Sequence, residues 1–496
     1  MKILQRIERS REFWFLLLTS FIFFLLRFPS LFEPYWYGDE GIYQVIGIAL
    51  RQGRGLYTQI WDNKPPLLYL LYAIFSSDQF TVRLVSLIFG ILSVIVFFLL
   101  AKKLFHSEKE THPAVFLSTG FFALFFGLPL IEGNIANAEN FMILPILISA
   151  LLILKTPPAG RLARENIKKE KYRSLFFSSG LLLSFAFLFK IVAVFDTTAF
   201  FLFLLIIKTR RLNLLIKSIF ELFPLLLGFI IPVFLTILFF FLQGSLSDFL
   251  RAAFLQNVGY VAYGNTFLFP QSLLVIKLTI LFGIVLILFK NRVKLPVSVL
   301  FILIWTAFSL FNALFSQRPY AHYFLTLLPS FSLFIGLSLF DKKYQKQYLV
   351  ILFVLIIIAL KGFNFYGKTV SYYFNFLQFM TNQKSISSYQ KFFDRRTPID
   401  YEIAQFIKIH TGNDDIFLWG DDAQVYKLSA KLPIGRYTVA YHMASSIKAM
   451  EETKKVLNQK MPKYIILVSR QNFPFSLSNY FLKLNIENIP VYEKIH

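Results

Sequence analysis

Eleven runs of roughly twenty apolar residues, separated by connections whose basic content alternates, constrain this chain more than anything else in it. The runs fall at about 12–32, 80–101, 114–130, 140–155, 174–190, 192–207, 218–242, 271–289, 295–313, 321–340 and 347–361. Soluble domains do not build stretches of that length and purity. With 56% of its 496 residues hydrophobic, 16% charged and 62 of them phenylalanine, the chain is expected to be an α-helical polytopic membrane protein. The first run is too long for a cleavable signal peptide and no small-residue cleavage site follows it, so it reads as a retained span. Lys190 and Asp196 make the turn between the fifth and sixth runs a tight one.

Lysine and arginine in alternate connections give the sidedness. One set of connections holds 24 of them: four in 1–11, three in 101–113, seven in 155–173, four in 208–217, three in 290–294 and three in 341–347. The opposite set holds about six over far more residues. The positive-inside rule places the N-terminus in the cytoplasm and residues 33–79, 131–139, 243–270, 314–320 and everything after 362 outside a plasma (inner) membrane. The net charge of +23 is therefore a topology signal; no basic tract is interleaved with aromatics or glycines as a nucleic-acid partner would require. There is no cysteine, so disulfides, thiolate metal sites and thiol nucleophiles are excluded.

Sidedness gives the polar residues their meaning. Asp39-Glu40, the segment Glu132 to Asn140, Lys190 and Arg318 through His322 all fall on the outer side, where they are expected to converge on one site. Adjacent carboxylates behind the interfacial cluster Tyr35-Trp36-Tyr37 are costly without a task. Residues 33–79 are too polar to span; Ile42–Arg51 and Pro66–Phe75 read as amphipathic helices in the interface, with Lys64 on a turn broken by Pro65 and Pro66.

At these residues the chain resembles the GT-C glycosyltransferases of the protein mannosyltransferase type, which include the bacterial lipid A aminoarabinose transferases. The resemblance covers nearly the whole chain and rests on an ordered set of motifs. They are Gly38-Asp39-Glu40-Gly41-Ile42-Tyr43, Asp62-Asn63-Lys64-Pro65-Pro66-Leu67, Arg83-Leu84, Asn137-Ala138-Glu139-Asn140, Phe189-Lys190, and Arg318-Pro319-Tyr320-Ala321-His322-Tyr323 with Leu327-Leu328-Pro329. It departs from the family at Glu139, where many relatives show Asp. It implies an outward-facing enzyme that takes a sugar from a polyprenyl-phosphate carrier and inverts its anomeric centre.

The chemistry of such a reaction asks for a base and for cations at the bilayer surface. Asp39 is the candidate general base for an acceptor hydroxyl, Glu40 would position the acceptor or adjust Asp39, and Glu139 is a third catalytic candidate. Lys64, Lys190, Arg318 and His322 are candidates for the donor phosphate; Tyr43, Asn137 and Tyr323, inside the same motifs, are candidates for positioning substrate. A single phosphate can be held by these cations, so no cofactor is expected and a divalent metal is possible but not expected. The expected partners are the polyprenyl-phosphate-linked sugar, a protein, lipid or glycan acceptor, and the bilayer, with no nucleic acid.

From about 362 the apolar runs shorten and charges mix. The expected division is a transmembrane part, 1–361, and an extracytoplasmic α/β domain, 362–496, with a helix from Pro398 to His410, strands at Ile416–Trp419 and Tyr464–Val468, and a helix at Ser445–Gln459. Gly420-Asp421-Asp422 lacks the glycine spacing of a nucleotide-binding turn. This domain would recognise acceptor or cap the fold. A transporter or flippase would share the apolar runs and the charge bias, but no internal repeat or mid-membrane charge is evident. A ligase or polymerase using a pyrophosphate-linked donor would place its long polar loop later in the chain.

Overall fold

The computed structural model describes residues 11–107, 110–155, 169–209, 215–257, 272–469 and 473–495. Parts of the basic connections expected at 1–11, 155–173 and 208–217, namely 1–10, 156–168 and 210–214, and residues 258–270 of one outer connection, lie outside the described residues.

Among the described residues each of the eleven apolar runs falls on helix, the seventh on two, Leu215–Glu221 and Phe223–Leu242, interrupted at Leu222. Among the described residues eight helices are long and apolar enough to cross a membrane: Arg11–Phe32, Gln79–Leu104, Tyr172–Phe189, Ile191–Lys208, Phe223–Leu242, Leu274–Asn291, Ala321–Phe340 and Lys342–Gly362. Pro113–Gly127, Ala138–Leu154 and Val297–Ala313 are shorter. The tight turn between the fifth and sixth runs is present: one helix stops at Phe189, Lys190 is extended (φ −154°, ψ 128°), and a 3₁₀ turn, Ile191–Ala193, leads into the next helix. His112 caps Pro113–Gly127 by accepting the Ala114 N–H (3.1 Å), with Pro113 at the first helical position where no donor is needed.

The chain divides into two compact units. The first takes residues 1–28, 85–242 and 256–369. Its central helix is Ala321–Phe340, 78% buried, whereas Leu274–Asn291 is 11% buried and Phe223–Leu242 is 17% buried. Such exposed apolar faces, with Phe234, Phe239, Ile280 and Phe282 among them, are what lipid contact requires. One crossing is set by glycine. A Cβ on Gly180 would lie 2.1 Å from the Leu225 carbonyl oxygen, and one on Gly228 would lie 2.2 Å from that of Phe177, so the helices Lys169–Phe189 and Phe223–Leu242 meet backbone to backbone.

The second unit is assembled from three pieces of chain, 29–84, 243–255 and 370–496. The segment after 369 thus shares its unit with the early polar loop. The two helices expected in that loop form as Gly38–Arg51 and Pro66–Ile74, but Gly38–Arg51 buries polar as well as apolar residues, because Glu40 and Gln44 find partners in Arg83 and Gln79. The expected helices and strands of the C-terminal segment appear at Thr397–Thr411, Ile447–Lys460, β1 (Ile416–Trp419) and β2 (Tyr464–Leu467). Ser446 caps Ile447–Lys460 by accepting the Ala449 N–H. β1 and β2 run parallel, with Ile416 opposite Tyr464 and Trp419 opposite Leu467. A hairpin not expected from the sequence, β3 (Tyr480–Ile486) and β4 (Ile489–Lys494), completes a sheet of order β1-β2-β4-β3, β4 being antiparallel to β2.

Candidate functional site

Gly38–Arg51 presents Asp39 and Glu40 in its first turn, at the positive end of the helix dipole. The two neighbours have opposite fates. Asp39 remains about a third exposed, with the Lys64 ammonium 3.6 Å from Oδ2 and the Tyr43 hydroxyl donating to the same oxygen at 3.0 Å. Lys64 Nζ also lies 4.8 Å from the centre of the Tyr43 ring and 3.5 Å from Asp62 Oδ2.

The loop carrying Lys64 is held by tyrosines. The Lys64 N–H donates to the Tyr69 oxygen (3.0 Å) and the Tyr57 hydroxyl donates to the Lys64 carbonyl (2.7 Å). Tyr69 in turn donates to Asp62 Oδ2 at 2.7 Å. Burial first, and the Asp62 carboxylate second, push the Tyr69 hydroxyl well above its ordinary value, so it stays a donor. Asp62 is buried, and its other oxygen lies 3.5 Å from His442 Nε2. Burial lowers the His442 imidazole to about 4; Asp62 opposes that shift and Lys64 adds to it. The ring is therefore neutral near pH 7.

Glu40 is buried and takes both nitrogens of the Arg83 fork, Nε at 3.0 Å on Oε1 and NH2 on Oε2. Arg83 also pairs with Glu33 (2.9 Å) and donates to the Ser30 carbonyl (2.7 Å). Glu33 accepts from Trp36 Nε1 (2.7 Å) and from the Tyr372 hydroxyl (2.6 Å). Two buried acids thus share one guanidinium whose planar donors match carboxylate geometry.

A second cluster belongs to the first unit. Glu139, in the first turn of Ala138–Leu154 just after the buried Asn137, is ion-paired with Lys190 at the break between two helices. His322 lies between two acids, Nδ1 at 2.9 Å from Glu132 Oε2 and Nε2 at 3.9 Å from Glu139 Oε1. The Tyr323 ring sits under Lys190 Nζ (4.9 Å) and edge-on to the His322 ring (4.7 Å). Glu132 adopts a left-handed conformation (φ 58°, ψ 28°), uncommon for a residue with a Cβ and a recurrent mark of functional sites. Arg318 lies in the connection four residues before His322, its N–H facing Ser316 Oγ at 3.5 Å.

The candidates therefore gather in two groups: Asp39, Glu40, Tyr43 and Lys64 in the second unit, and Asn137, Glu139, Lys190, Arg318, His322 and Tyr323 in the first. Residues given no role by the sequence reading are Glu33, Asp62, Arg83, Glu132 and His442, although Glu132 opened the outer segment expected to join the site. Asp62 and Arg83 stood inside quoted motifs; nothing local to Glu33 or His442 marked them. Among the described residues no three His, Asp or Glu side chains are placed to share a metal ion.

Residues 64–240 match the family of dolichyl-phosphate-mannose-protein mannosyltransferases. The crystal structure of ArnT from Cupriavidus metallidurans bound to undecaprenyl phosphate matches with TM-score 0.56 and 14% identity over 97% of this chain and 98% of that one. The apo form of the same protein matches with TM-score 0.57 and 12% identity over the same shares. An oligosaccharyltransferase from Archaeoglobus fulgidus in the apo form matches over 92% of this chain and 69% of its own, at 14% identity and TM-score 0.47. No curated protein sequence matches the chain.

Proposed function

We propose that this chain is a membrane glycosyltransferase of the GT-C type and that it moves a sugar from a polyprenyl-phosphate carrier to a hydroxyl acceptor with inversion at the anomeric carbon, a reading supported by the family match over residues 64–240 and by the fold shared with ArnT. The acceptor hydroxyl gives its proton to Asp39 as its oxygen attacks that carbon. The carbon–oxygen bond to phosphate breaks and its electron pair leaves with the polyprenyl phosphate. One base and a good leaving group suffice, so no covalent enzyme intermediate is needed.

The observation that carries this reading is the part-exposed Asp39 carboxylate, oriented through one oxygen by Tyr43 and Lys64. A base must be reachable and held in place, and Asp39 meets both conditions. Glu40, bound by Arg83, positions the helix that carries Asp39. Lys64, Lys190, Arg318 and His322 supply positive charge or hydrogen bonds to the departing phosphate, Glu139 keeps Lys190 in place, and Asn137, Tyr43 and Tyr323 shape the surroundings. The lysine and arginine bias supports transfer on the outer face, with the N-terminus cytoplasmic and the C-terminal segment outside. The acceptor is a hydroxyl of a protein, lipid or glycan.

The test is transfer of labelled sugar from membranes rich in polyprenyl-phosphate sugars. Asp39→Asn keeps the shape and removes the base; turnover is expected to fall about 10²- to 10⁴-fold with donor binding retained. Turnover equal to wild type would remove Asp39 from the mechanism.

A further inference from the structure

His442 is a buried titratable group that the mechanism above leaves without a task, and its surroundings are specific. It sits on the short helix Ala440–Met443, anchored by the Ala440 N–H to the Gly420 carbonyl (2.8 Å) and the Tyr441 N–H to Asp421 Oδ1 (3.1 Å). The Trp61 ring meets it edge-on at 4.8 Å, and the Trp61 N–H donates to the Arg436 carbonyl at 2.9 Å. The residue after Trp61 is Asp62, whose Oδ1 faces His442 Nε2 while Oδ2 accepts from Tyr69 and lies 3.5 Å from Lys64 Nζ. Nζ is in turn 3.6 Å from Asp39 Oδ2.

The same C-terminal stretch also meets the helix that bears Asp39. A Cβ on Gly41 would lie 2.7 Å from the Gln424 backbone nitrogen, and one on Gly38 would lie 3.7 Å from the Asp421 carbonyl oxygen. The segment 420–443 therefore packs against the helix that carries Asp39 at Gly38 and Gly41 and, through the His442 imidazole, faces the acid that lies beside Lys64.

Building on the function proposed above, we propose that His442 is a positioning residue for the transfer reaction: through Asp62 it fixes the Lys64 ammonium beside Asp39. A neutral imidazole suits the task. With its proton on Nε2 it donates to the Asp62 carboxylate without adding a charge that would compete with Lys64 for the same acid. Asp62, held by His442 on one oxygen and Tyr69 on the other, has one orientation in which to face Lys64. Misplacing a reacting group by about 1 Å costs up to about 10²-fold in rate.

The experiment compares His442→Leu, His442→Gln, Asp62→Asn and the His442→Leu/Asp62→Asn double variant in the labelled-sugar assay with full-length protein in membranes, each at a matched amount of folded enzyme. His442→Leu and Asp62→Asn are each expected to lower turnover by about tenfold or more. His442→Gln, which retains an N–H near the Nε2 position, is expected to stay within about threefold of wild type. The double variant is expected to lose no more than Asp62→Asn alone, because both changes break one chain of contacts. Losses that multiply, a Leu variant as active as wild type, or a Gln variant no better than Leu would overturn the proposal. Should His442→Leu fail to accumulate, His442→Asn replaces it in the cycle. No transfer by wild-type enzyme would instead sink the assigned function.

Discussion

Arg83 is completely buried and answers two carboxylates, Glu33 and Glu40, so its removal would strand two buried anions together. Breaking a buried pair by deleting one partner typically costs about 3–5 kcal/mol. Arg83→Met is therefore expected to lower the melting midpoint sharply, and Arg83→Lys to recover only part, since an ammonium cannot serve Nε and NH2 acceptors at once. Adding Glu33→Gln and Glu40→Gln to Arg83→Met should restore much of the loss; melting in detergent by intrinsic fluorescence checks all three. At this scale the sequence pointed to Asp39 and Lys64 because charge beside interfacial aromatics and prolines is locally conspicuous. His442 was silent because its partner, Asp62, lies 380 residues away, and Glu33 because an acid at the end of a span looks like an ordinary solvated terminus.

Among the helices, the Gly180–Gly228 crossing makes a sharp expectation. Gly228→Val must push Phe177 away, and overpacking of this kind costs about 1–3 kcal/mol or more. The same substitution at Gly283, in Ser272–Asn291, meets nothing within 4 Å and is expected to leave the melting midpoint unchanged. Equal behaviour of the two variants would show that the crossing relaxes freely. Helix existence was readable from long apolar runs, and the break at Lys190 from its charge. The hairpin β3–β4 was not, because Phe481 and Leu482, two of the exposed residues of Tyr480–Ile486, are apolar and blur the alternation by which a half-buried strand is recognised.

For the whole molecule, two buried groups set opposing pH slopes. Burial first, then the Asp422 carboxylate, raise Asp400 to about 8, while its Oδ2 accepts from Gln424 Nε2 at 2.8 Å. The unfolded chain releases this proton near its ordinary value of 3.8. Between about 4 and 8 the native state thus holds the extra proton, and stability falls as pH rises. His442 acts in the opposite sense: its value drops from 6.5 to about 4 on folding, so it removes stability as pH falls through that window. The two overlap below 6.5, and above it the Asp400 slope stands without that opposition. The melting midpoint is expected to decline from pH 6.5 to 8, and Asp400→Asn to flatten the decline and raise the midpoint at pH 8. A decline unaltered by that substitution would assign it to other groups. The gathering of early and late chain into one unit was the part of the architecture least visible in the sequence, since composition changes at about 362 and marks a boundary there without saying what the later residues pack against.

That gathering has a consequence for how the protein is made. Residues 29–84 leave the ribosome about 290 residues before 370–496 begin to appear. At about 5–20 residues per second, roughly 15–60 s separate the two. During that interval the segment bearing Asp39 and Lys64 lacks Tyr372, Gln424 and His442, and waits at the membrane as an unfinished surface. The early loop can complete its unit only after residues 370–496 have been made.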